Sequence, residues 1–354
     1  MRNPKIWIYN TVDASGASYK RLEQLGSQVF WKQGQWDANI ERREPTPLLF
    51  DRETVAVAGI ANRTDLLNDQ TFDSAPELRI IAKYSNGYDN VDINAATARG
   101  ILVTHSPTEA NWSGVAEGVL AYILTMLKKV RERDRSVKNG EWRSPSLFGT
   151  FVGSRTDDGY KGLTIGIIGF GRIGSRLAAL FRPWGVTLVA YDPYVELSKF
   201  DQHCVRPVEL DDLLENSDIV TLHCNLNKET RGIISHKSLK KMKPSSILVN
   251  AARGPCVDFE ALLNALNRNE IKGAILDVLT EEPPDPSSQL LQLGDKVLLS
   301  PHMVAACNGG GLLPSIPLVE AALLAALKGF APKNVVNIKA LNKWNSRFAG
   351  RSII

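Results

Sequence analysis

The chain alternates short apolar runs with segments of helical period almost throughout its 354 residues. Such alternation is typical of βα units built on a parallel sheet. The predicted strands fall into two series along the chain. The first series comprises residues 5–9, 28–31, 54–58, 79–84 and 101–104, and the second comprises residues 163–168, 186–191, 219–223, 247–250, 274–276 and 297–299.

Two helical patterns lie outside the strand series. One runs from about residue 115 to residue 136, and residues 140–159 after it have the composition of a loop. The other, "LVEAALLAAL" at 318–327, comes too late to belong to the second series. Six strands separated by helical segments is the number expected of a dinucleotide-binding sheet. We therefore predict an α/β chain of two domains, each a parallel sheet flanked by helices, with residues 107–302 inserted into a domain formed by residues 1–106 and 303–354.

Composition narrows the class of protein further. The net charge of +4 is small, and no basic block is interleaved with aromatic residues, which disfavours nucleic acid as a partner. The start "MRNPKIWIYN" lacks the apolar region of a signal peptide, and the longest apolar segment, 119–127, is too short to cross a bilayer. The four cysteines have no metal-like spacing, so we predict no metal site and free thiols. These features predict a cytoplasmic protein that does not bind a membrane.

A glycine motif follows the first strand of the second series. The run "LTIGIIG" leads into Gly169, Gly171 and Gly174, spaced as G-x-G-x-x-G, and a helical pattern follows. In that context the first glycine permits a tight turn, the second lets backbone approach a pyrophosphate, and the third allows close packing of helix on strand. The helix N-terminus adds unpaired N–H groups and a positive dipole end. Arg172 either contacts a phosphate or is solvated.

Asp192 ends the next strand, "VTLVAYD", 18 residues after Gly174. A carboxylate at this position accepts hydrogen bonds from ribose hydroxyls and repels a 2′-phosphate, which favours NAD over NADP. The alternative is a carboxylate that starts a turn before Pro193. The spacing and the position at a strand end favour the ribose contact.

Three ionisable residues each follow a later strand. Arg253 follows "ILVN", Glu282 lies in "AILDVLTEEPP", and His302 lies in "VLLSPH". Ligands of open α/β sheets bind beyond the carboxyl ends of the strands, so the three side chains form a candidate site. Each residue alone has a simpler interpretation: a solvated loop arginine, an exposed carboxylate and a packed loop histidine. Their common placement favours a site.

Several motifs in one order resemble the D-isomer-specific 2-hydroxyacid dehydrogenase family. They are "YSNGYDNVD", "VAEGVLAYIL", "GIIGFGRIG…AYDPY", "KPSSILVNAARGPCVD", "GAILDVLTEEPP" and "LLSPH", and the resemblance covers nearly the whole length apart from the last 15–20 residues. The resemblance implies a Rossmann nucleotide-binding domain inserted into a flavodoxin-like, substrate-binding (catalytic) domain. It also implies NAD(P) as cofactor in the inserted domain, where Asp192 favours NAD, and usually a homodimer built through the inter-domain helix and loop.

The resemblance also assigns roles to residues of this sequence. Arg253 matches the arginine that binds the substrate carboxylate, Glu282 the partner acid and His302 the catalytic acid/base. Asn86 and Gly87 match the loop whose backbone N–H groups hold the substrate carboxylate. The implied cofactor contacts are Gly169, Gly171, Arg172, Ile173, Gly174, Asp192, His223, Asn225, Ala251 and Asp277, of which Asp277 matches the acid near the nicotinamide carboxamide.

These residue types suit hydride transfer to a 2-oxo acid. Negative charge develops on the carbonyl oxygen, and His302 can deliver a proton there near neutral pH, while a hydrogen-bonded Glu282 favours its charged form. The guanidinium of Arg253 offers a rigid fork that matches a carboxylate and keeps its charge. In the reverse direction the neutral histidine acts as the base.

The sequence departs from the family pattern at four places. Ser85 stands where glycine is usual, which predicts a narrower pocket or an added hydroxyl contact. Asn225 replaces a more usual proline, and it either contacts the cofactor or is a neutral change. One extra residue in "PTEANWSGVAE" puts Trp112 either in the active site or in dimer packing. The run "MVAACNGGG" after His302 also differs, so substrate specificity cannot be copied from relatives.

Three functions remain from the sequence. The first is an NAD-dependent oxidoreductase acting on C2 of a small D-2-hydroxy acid or 2-oxo acid. The second is a phosphite- or formate-type dehydrogenase, although Glu282 argues against formate, for which family members carry glutamine. The third is an NAD(H)-sensing interaction protein of the corepressor type. A phosphorylated substrate would need an extra cation near the substrate loop, for which Lys83 is one candidate.

Overall fold

The computed structural model describes residues 3–31, 44–62, 64–307 and 311–354. The chain divides into two compact units, one formed by Met1–Asn111 with Cys307–Ile354 and the other by Trp112–Ala306. Both units are α/β, and their sheets are parallel and flanked by helices. The inserted domain that we expect from the sequence, 107–302, has slightly different limits from the second compact unit.

The sheet of the first unit has the strand order of a flavodoxin-like fold. The strands of this unit are β1 (Lys5–Ile8), β2 (Gln28–Trp31), β3 (Thr46–Pro47), β4 (Thr54–Gly59), β5 (Asp65–Leu66), β6 (Ile80–Lys83) and β7 (Leu102–Thr104). The five longer ones are parallel in the order β2-β1-β4-β6-β7, which is 2-1-3-4-5 when they are numbered among themselves. Every residue of β4 and β6 is buried, as expected where helices cover both faces.

The sheet of the second unit has the order of a Rossmann fold. Its strands are β8 (Thr164–Ile168), β9 (Thr187–Tyr191), β10 (Arg206–Pro207), β11 (Ile219–Leu222), β12 (Ile247–Asn250), β13 (Gly273–Leu276) and β14 (Val297–Leu299). They form one parallel sheet ordered β10-β9-β8-β11-β12-β13-β14. This order reverses direction at β8, and a crevice at such a switch point is where doubly wound sheets bind ligands.

Every strand that the sequence predicts is present, with each end within one residue of its predicted position. Three short strands are additional: β3 and β5 pair with each other, and β10 adds a seventh, edge strand to the second sheet. Each of these has only two residues, and Pro207 lies at a sheet edge, where a proline is tolerated. Such short segments carry no apolar run that a pattern could reveal.

Helices connect the strands in both units. The helices of the described residues are α1 (Ala17–Gln24), α2 (Asp69–Ser74), α3 (Ile93–Arg99), α4 (Glu109–Leu127), α5 (Val130–Lys138), α6 (Arg172–Phe181), α7 (Leu197–Gln202), α8 (Leu210–Asn216), α9 (His236–Lys241), α10 (Phe259–Asn267), α11 (Ile316–Leu327) and α12 (Leu341–Phe348). Side-chain caps fix several of their starts, as where Asp258 accepts from the Ala261 N–H at the beginning of α10.

The single helical pattern predicted over 115–136 is two helices, so that prediction is wrong in one respect. The chain breaks after α4 at Lys129, whose φ of 54° is left-handed. The loop that follows α5 caps the end of α4, because the Thr150 N–H donates a hydrogen bond to the Leu127 carbonyl oxygen at 2.8 Å. The Lys128 ammonium in turn donates a hydrogen bond to the Thr150 carbonyl oxygen at 2.9 Å. These long-range bonds replace continuation of the helix, and an apolar period does not reveal them.

Candidate active site

The glycine motif forms a tight turn between β8 and α6. Gly169 has a φ of 93°, and a Cβ atom there would lie 2.6 Å from the backbone nitrogen of Cys224. A Cβ on Gly174 would lie 2.3 Å from the Gly169 carbonyl oxygen, whereas one on Gly171 would meet no atom within 4 Å. Packing therefore demands glycine at the first and third positions. The second position instead faces open space where α6 begins, as a pyrophosphate site requires.

The residues next to that turn have distinct environments. Arg172 is exposed at the first position of α6, directly after Gly171, which caps the helix without a side chain. Ile173 is partly buried and packs on the core of the unit. The start of α6 thus offers backbone N–H groups and one exposed guanidinium to an anion.

Asp192 fixes the glycine turn as well as its own turn. Its carboxylate accepts from the N–H of Phe170 at 2.8 Å and from the N–H of Tyr194 at 3.1 Å. A carboxylate has about four acceptor positions, so two remain for ribose hydroxyls. The sequence suggests two alternative roles for Asp192, starting a turn and binding ribose. The geometry allows both.

Lys199 is a neighbour of this carboxylate that the sequence reasoning missed. Its ammonium lies 5.8 Å from the centroid of the Phe170 ring. Burial lowers the pKa of Lys199, and the charge of Arg172 acts in the same direction against the opposing charge of Asp192. Because it lies on α7, outside any strand-end pattern, spacing alone could not identify it.

His223 presents an unsatisfied polar atom at the end of β11. Its Nε2 pairs with the Thr221 hydroxyl at 2.9 Å, and its Nδ1 is buried without a partner in the described part of the chain. Burial lowers the pKa of His223 to about 3, so the ring is neutral. Asn225 is exposed, and its carbonyl accepts from the Thr230 hydroxyl at 2.6 Å. The orphaned Nδ1 and the open space at Gly171 both fit a bound dinucleotide.

The loop that carries Arg253 is held by two residues whose roles sequence reasoning missed. The Asn250 side chain, 1% exposed, donates to the Arg253 carbonyl at 2.9 Å and accepts from the Ala252 N–H at 3.1 Å. A Cβ on Gly254 would lie 2.0 Å from the Leu279 carbonyl oxygen, so only glycine lets this loop meet the segment after β13. The Arg253 guanidinium donates to the Ala252 carbonyl at 2.7 Å, and Ala251 is partly buried beside it.

Glu282 and His302 form a hydrogen-bonded pair. One carboxylate oxygen of Glu282 accepts from the Leu279 N–H at 2.8 Å, and the other lies 2.9 Å from His302 Nδ1. About half of the His302 side chain, 49%, is exposed. Burial lowers the pKa of His302, but the hydrogen bond and charge of Glu282 outweigh it, and the net pKa is raised above the ordinary value. The pair thus favours the protonated form of an exposed imidazole, which is the arrangement of a general acid.

Asp277 supports the turn in which His302 lies. It is 3% exposed, and one carboxylate oxygen accepts from the N–H groups of Met303 and Val304, each at 2.9 Å. Its backbone carbonyl accepts from the His302 N–H at 2.8 Å. His302 has a left-handed φ of 56°, a strained value that these bonds maintain. The predicted contact of Asp277 with a nicotinamide carboxamide stays a prediction.

Asn86 and Gly87 belong to the first unit. The Ser85 hydroxyl donates to the Gly87 carbonyl at 2.8 Å and accepts from the Ala61 N–H at 3.4 Å, so it fastens the loop to itself. The Asn86 amide donates to the Asn111 side chain at 2.8 Å, and Gly87 is buried. The Ser85 hydroxyl therefore bonds within the loop, and the expectation that Ser85 narrows a pocket or adds a substrate contact stays a prediction.

The structure gives less information on two other predictions, those for Trp112 and for the run that follows His302. Trp112 is partly buried on α4. Within the run that follows His302, residues 308–310 lie outside the described residues. In the described ranges no cluster of three or more His, Cys, Asp or Glu side chains could hold a metal ion, and no helix is long and apolar enough to span a membrane.

Comparison with known proteins gives the family. The family model "D-isomer specific 2-hydroxyacid dehydrogenase, NAD binding domain" matches residues 120–304. A glyoxylate reductase from Thermofilum pendens is 35% identical over 345 residues, covering 96% of each chain. A D-3-phosphoglycerate dehydrogenase from Archaeoglobus fulgidus is 36% identical over 279 residues, which is 79% of this chain and 51% of that one. The crystal structure of the TT0316 protein from Thermus thermophilus superimposes with a TM-score of 0.78 at 29% identity, covering 94% of this chain and 99% of that one.

A two-unit α/β fold with a Rossmann sheet, a glycine turn and a histidine–carboxylate pair defines a nucleotide-dependent oxidoreductase. The chain belongs to the D-isomer-specific 2-hydroxyacid dehydrogenase family, and the family predicted from the sequence is confirmed. It is therefore an NAD-dependent 2-hydroxyacid dehydrogenase whose second unit contains the NAD-binding domain. This assignment favours the enzyme over the corepressor-type alternative.

Proposed function

We propose that the protein interconverts a small 2-oxo acid and the corresponding D-2-hydroxy acid with NADH and NAD. The observation that carries the proposal is the 2.9 Å contact between His302 Nδ1 and Glu282, which itself is held by the Leu279 N–H. An oriented carboxylate that raises the pKa of an exposed histidine is what protonation of a developing alkoxide needs.

Three side chains share the work on the substrate. Bound NADH supplies the hydride, and His302 donates the proton to the carbonyl oxygen. Arg253 anchors the substrate carboxylate, and the Asn250 bonds fix the loop from which its guanidinium projects. In the oxidative direction the neutral His302 accepts the hydroxyl proton, and Glu282 stabilises the imidazolium that results.

The backbone N–H groups of Asn86 and Gly87 are proposed as further carboxylate donors. The Ser85 hydroxyl supports this role, because its bond to the Gly87 carbonyl fixes the course of the loop. We assign these residues to substrate binding, with the first unit as the substrate-binding domain and the second as the cofactor domain.

A small unphosphorylated acid fits the chain better than a phosphorylated one. Lys83, the cation that the sequence offers for a phosphate, is fully buried, and its ammonium donates to the Ile60 carbonyl and the Asn90 amide oxygen. An ammonium so enclosed has no surface for a phosphate. Relatives named glyoxylate reductase match nearly the full length of the chain. This similarity supports glyoxylate as a substrate of suitable size.

We further propose NAD rather than NADP as the preferred cofactor and a homodimer as the assembly. The Asp192 carboxylate at the end of β9 repels a 2′-phosphate, which supports the first. Large apolar side chains on and after α5 support the second, since Val137, Trp142 and Phe148 are 54%, 69% and 75% exposed. The cytoplasmic location stays a prediction.

The test is a screen of NADH consumption by the purified protein. The panel grades 2-oxo acids by size and charge, from glyoxylate through hydroxypyruvate to longer and phosphorylated acids, and repeats each reaction with NADPH. We expect turnover of the smallest acids with NADH. Binding of NADH without turnover of any acid would contradict the proposal and favour an NAD(H) sensor, and a strong preference for NADPH would contradict the role of Asp192.

A further inference from the structure

The segment that follows β14 crosses the helix α4 in close contact, and both belong to the second unit. A Cβ atom on Gly118 would lie 2.2 Å from the Val304 carbonyl oxygen and 2.6 Å from a methyl carbon of the same valine. One turn earlier on the helix, a Cβ atom on Gly114 would lie 3.2 Å from the Ala305 carbonyl oxygen. Only glycine at position 118 therefore lets the segment lie this close to the helix.

Tyr122 contacts the beginning of the same segment from the same helix. Its hydroxyl donates to the hydroxyl of Ser300 at 3.1 Å, and Ser300 is buried. Gly118 and Tyr122 are four residues apart on α4, so they share one face of the helix. The helix thus contacts the segment at Ser300 and at Val304, and His302 lies midway between these two points in the chain.

The N–H groups of the segment are bonded to Asp277. Its carboxylate accepts from the Val304 N–H at 2.9 Å, and its backbone carbonyl accepts from the His302 N–H at 2.8 Å. Val304 is thus held at its N–H by Asp277 and at its carbonyl by contact with the helix, while its side chain packs on an apolar cluster of this unit. Packed interiors transmit strain, so a displacement of Val304 should reach the imidazole two residues earlier.

We propose that Gly118 and Tyr122 are positioning residues for the reaction, because they fix the chain on both sides of His302 and so keep its Nδ1 within hydrogen-bond distance of Glu282. The inference rests on the proposed function, in which His302 donates the proton. An alanine at position 118 would have to displace Val304 by about 1 Å, and a displacement of this size can lower the rate about 10²-fold without altering a reacting group.

The first measurement is the pKa of the His302 imidazole in the full chain, followed by NMR during a pH titration. The chain has five histidines, and the signal of this one is identified by its absence from His302→Ala. Burial and the charge of Arg253 lower this pKa, whereas the hydrogen bond and charge of Glu282 and the charge of Asp277 raise it. We expect Gly118→Ala to lower the pKa, because the displaced ring loses its bond to Glu282.

The kcat for reduction of a 2-oxo acid and the melting temperature are measured on the same variants. Gly118→Ala should lower kcat about 10²-fold. Gly114→Ala is the matched control on the same helix, because a small adjustment relieves its 3.2 Å contact with Ala305, and it should change kcat and the pKa of His302 much less. Tyr122→Phe removes one hydroxyl without adding bulk, so it serves as a second test if Gly118→Ala fails to fold. It should lower both quantities by a smaller amount.

An unchanged pKa of His302 in Gly118→Ala and Tyr122→Phe would overturn the inference, even with a lower melting temperature, because the helix would then contribute stability alone. Equal changes in Gly118→Ala and Gly114→Ala would also overturn it. If the unaltered chain turned over no 2-oxo acid, the proposed function would fail. A lowered pKa of His302 in Gly118→Ala would still support the positioning of the imidazole, since this pKa is measured without substrate.

Discussion

Both units end their parallel strands in a cluster of polar side chains, but one cluster is enclosed and the other is open. In the first unit the Lys83 ammonium is fully buried and bonded to Tyr9, Ile60 and Asn90. In the second unit about half of the His302 side chain is exposed although its Nδ1 is bonded to Glu282. Enclosed groups hold strand ends together, and open groups can meet a substrate. Position at a strand end therefore does not by itself identify a reacting residue.

The largest expected effect is that of His302→Ala on turnover. Loss of a general acid lowers kcat by about 10²–10⁴-fold. The melting temperature and the Kd for NADH should change little, because the removed ring is half exposed. Steady-state kinetics, calorimetry and fluorescence titration of NADH check the three quantities.

The matched control is His236→Ala, an exposed histidine at the start of α9. It should retain kcat. If His302→Ala turned over substrate as the unaltered chain does, the open cluster would not be the reacting one. The difference in exposure between His302 and Lys83 would then not explain which residue reacts.

Lys83→Met should lower stability while leaving kcat nearly unchanged. The substitution removes the donor to the Asn90 amide oxygen, at a cost of about 1–3 kcal/mol for a buried acceptor that stays unpaired. The Ile60 carbonyl also loses the lysine but keeps a hydrogen bond from the Tyr9 hydroxyl. Relief of the buried charge offsets part of that cost near neutral pH. Denaturant unfolding at a series of pH values gives the difference in the free energy of unfolding.

The sign of its pH dependence follows from burial, which lowers the pKa of Lys83 to about 7. The unfolded lysine keeps a pKa of about 10.4, so between these values the unfolded chain binds more protons and the folded chain gains stability as pH rises. The methionine variant lacks this gain, and its deficit should grow from pH 7 to pH 10. Lys138→Met, which removes an exposed ion pair with Asp134, is the matched control for loss of a lysine at the surface. A deficit of Lys83→Met that stayed constant would contradict a buried titrating amine.

The glycine turn also contains an enclosed position, Gly174, and an open one, Gly171. Gly174→Ala forces a Cβ to 2.3 Å from the Gly169 carbonyl oxygen, which should cost about 1–3 kcal/mol of stability. Gly171→Ala meets no atom within 4 Å, so it should keep the melting temperature and raise only the Kd for NADH. Thermal unfolding with and without NADH compares the two variants. Equal losses of stability would show that the open space at Gly171 has no special meaning.

The sequence sufficed for those parts of the fold that repeat a local pattern. Strands β8, β11 and β12 consist mostly of branched apolar residues, and each occurs where it is predicted. The break at Lys129 depends on bonds from a loop some twenty residues away, and β10 has only two residues, so neither left a local pattern. Periodicity reports which face is buried and does not report which distant carbonyl accepts a bond.

The candidate site was predictable to a similar extent. The motifs suggested Arg253, Glu282 and His302, and the structure brings the last two within 2.9 Å, although their catalytic roles stay predictions. Asn250 and Gly254, which hold the Arg253 loop, were missed as positioning residues because their partners lie in tertiary contacts. A residue's chemistry is visible in the sequence, whereas the residues that aim it are recognised from packing.

The smallest expected effect is a shift in pH dependence caused by Glu282→Gln. The hydrogen bond and charge of Glu282 raise the pKa of His302 against burial, so the protonated acid persists to higher pH than it would alone. Reduction of the 2-oxo acid needs that proton and should decline as pH rises through the raised pKa. Without the carboxylate charge the pKa of His302 should fall, so the decline should begin at lower pH.

The pH profile of kcat/KM for reduction measures this shift, and the adjacent Glu281→Gln provides a matched control because its carboxylate is exposed. The oxidative reaction should move in the same sense, since its base becomes available at lower pH when the pKa of His302 falls. A profile of Glu282→Gln that coincided with that of Glu281→Gln would mean that Glu282 only orients the ring. In that case Glu282 would act by hydrogen bonding rather than by its charge. Its role in the open cluster would then be structural, as that of Lys83 is in the enclosed one.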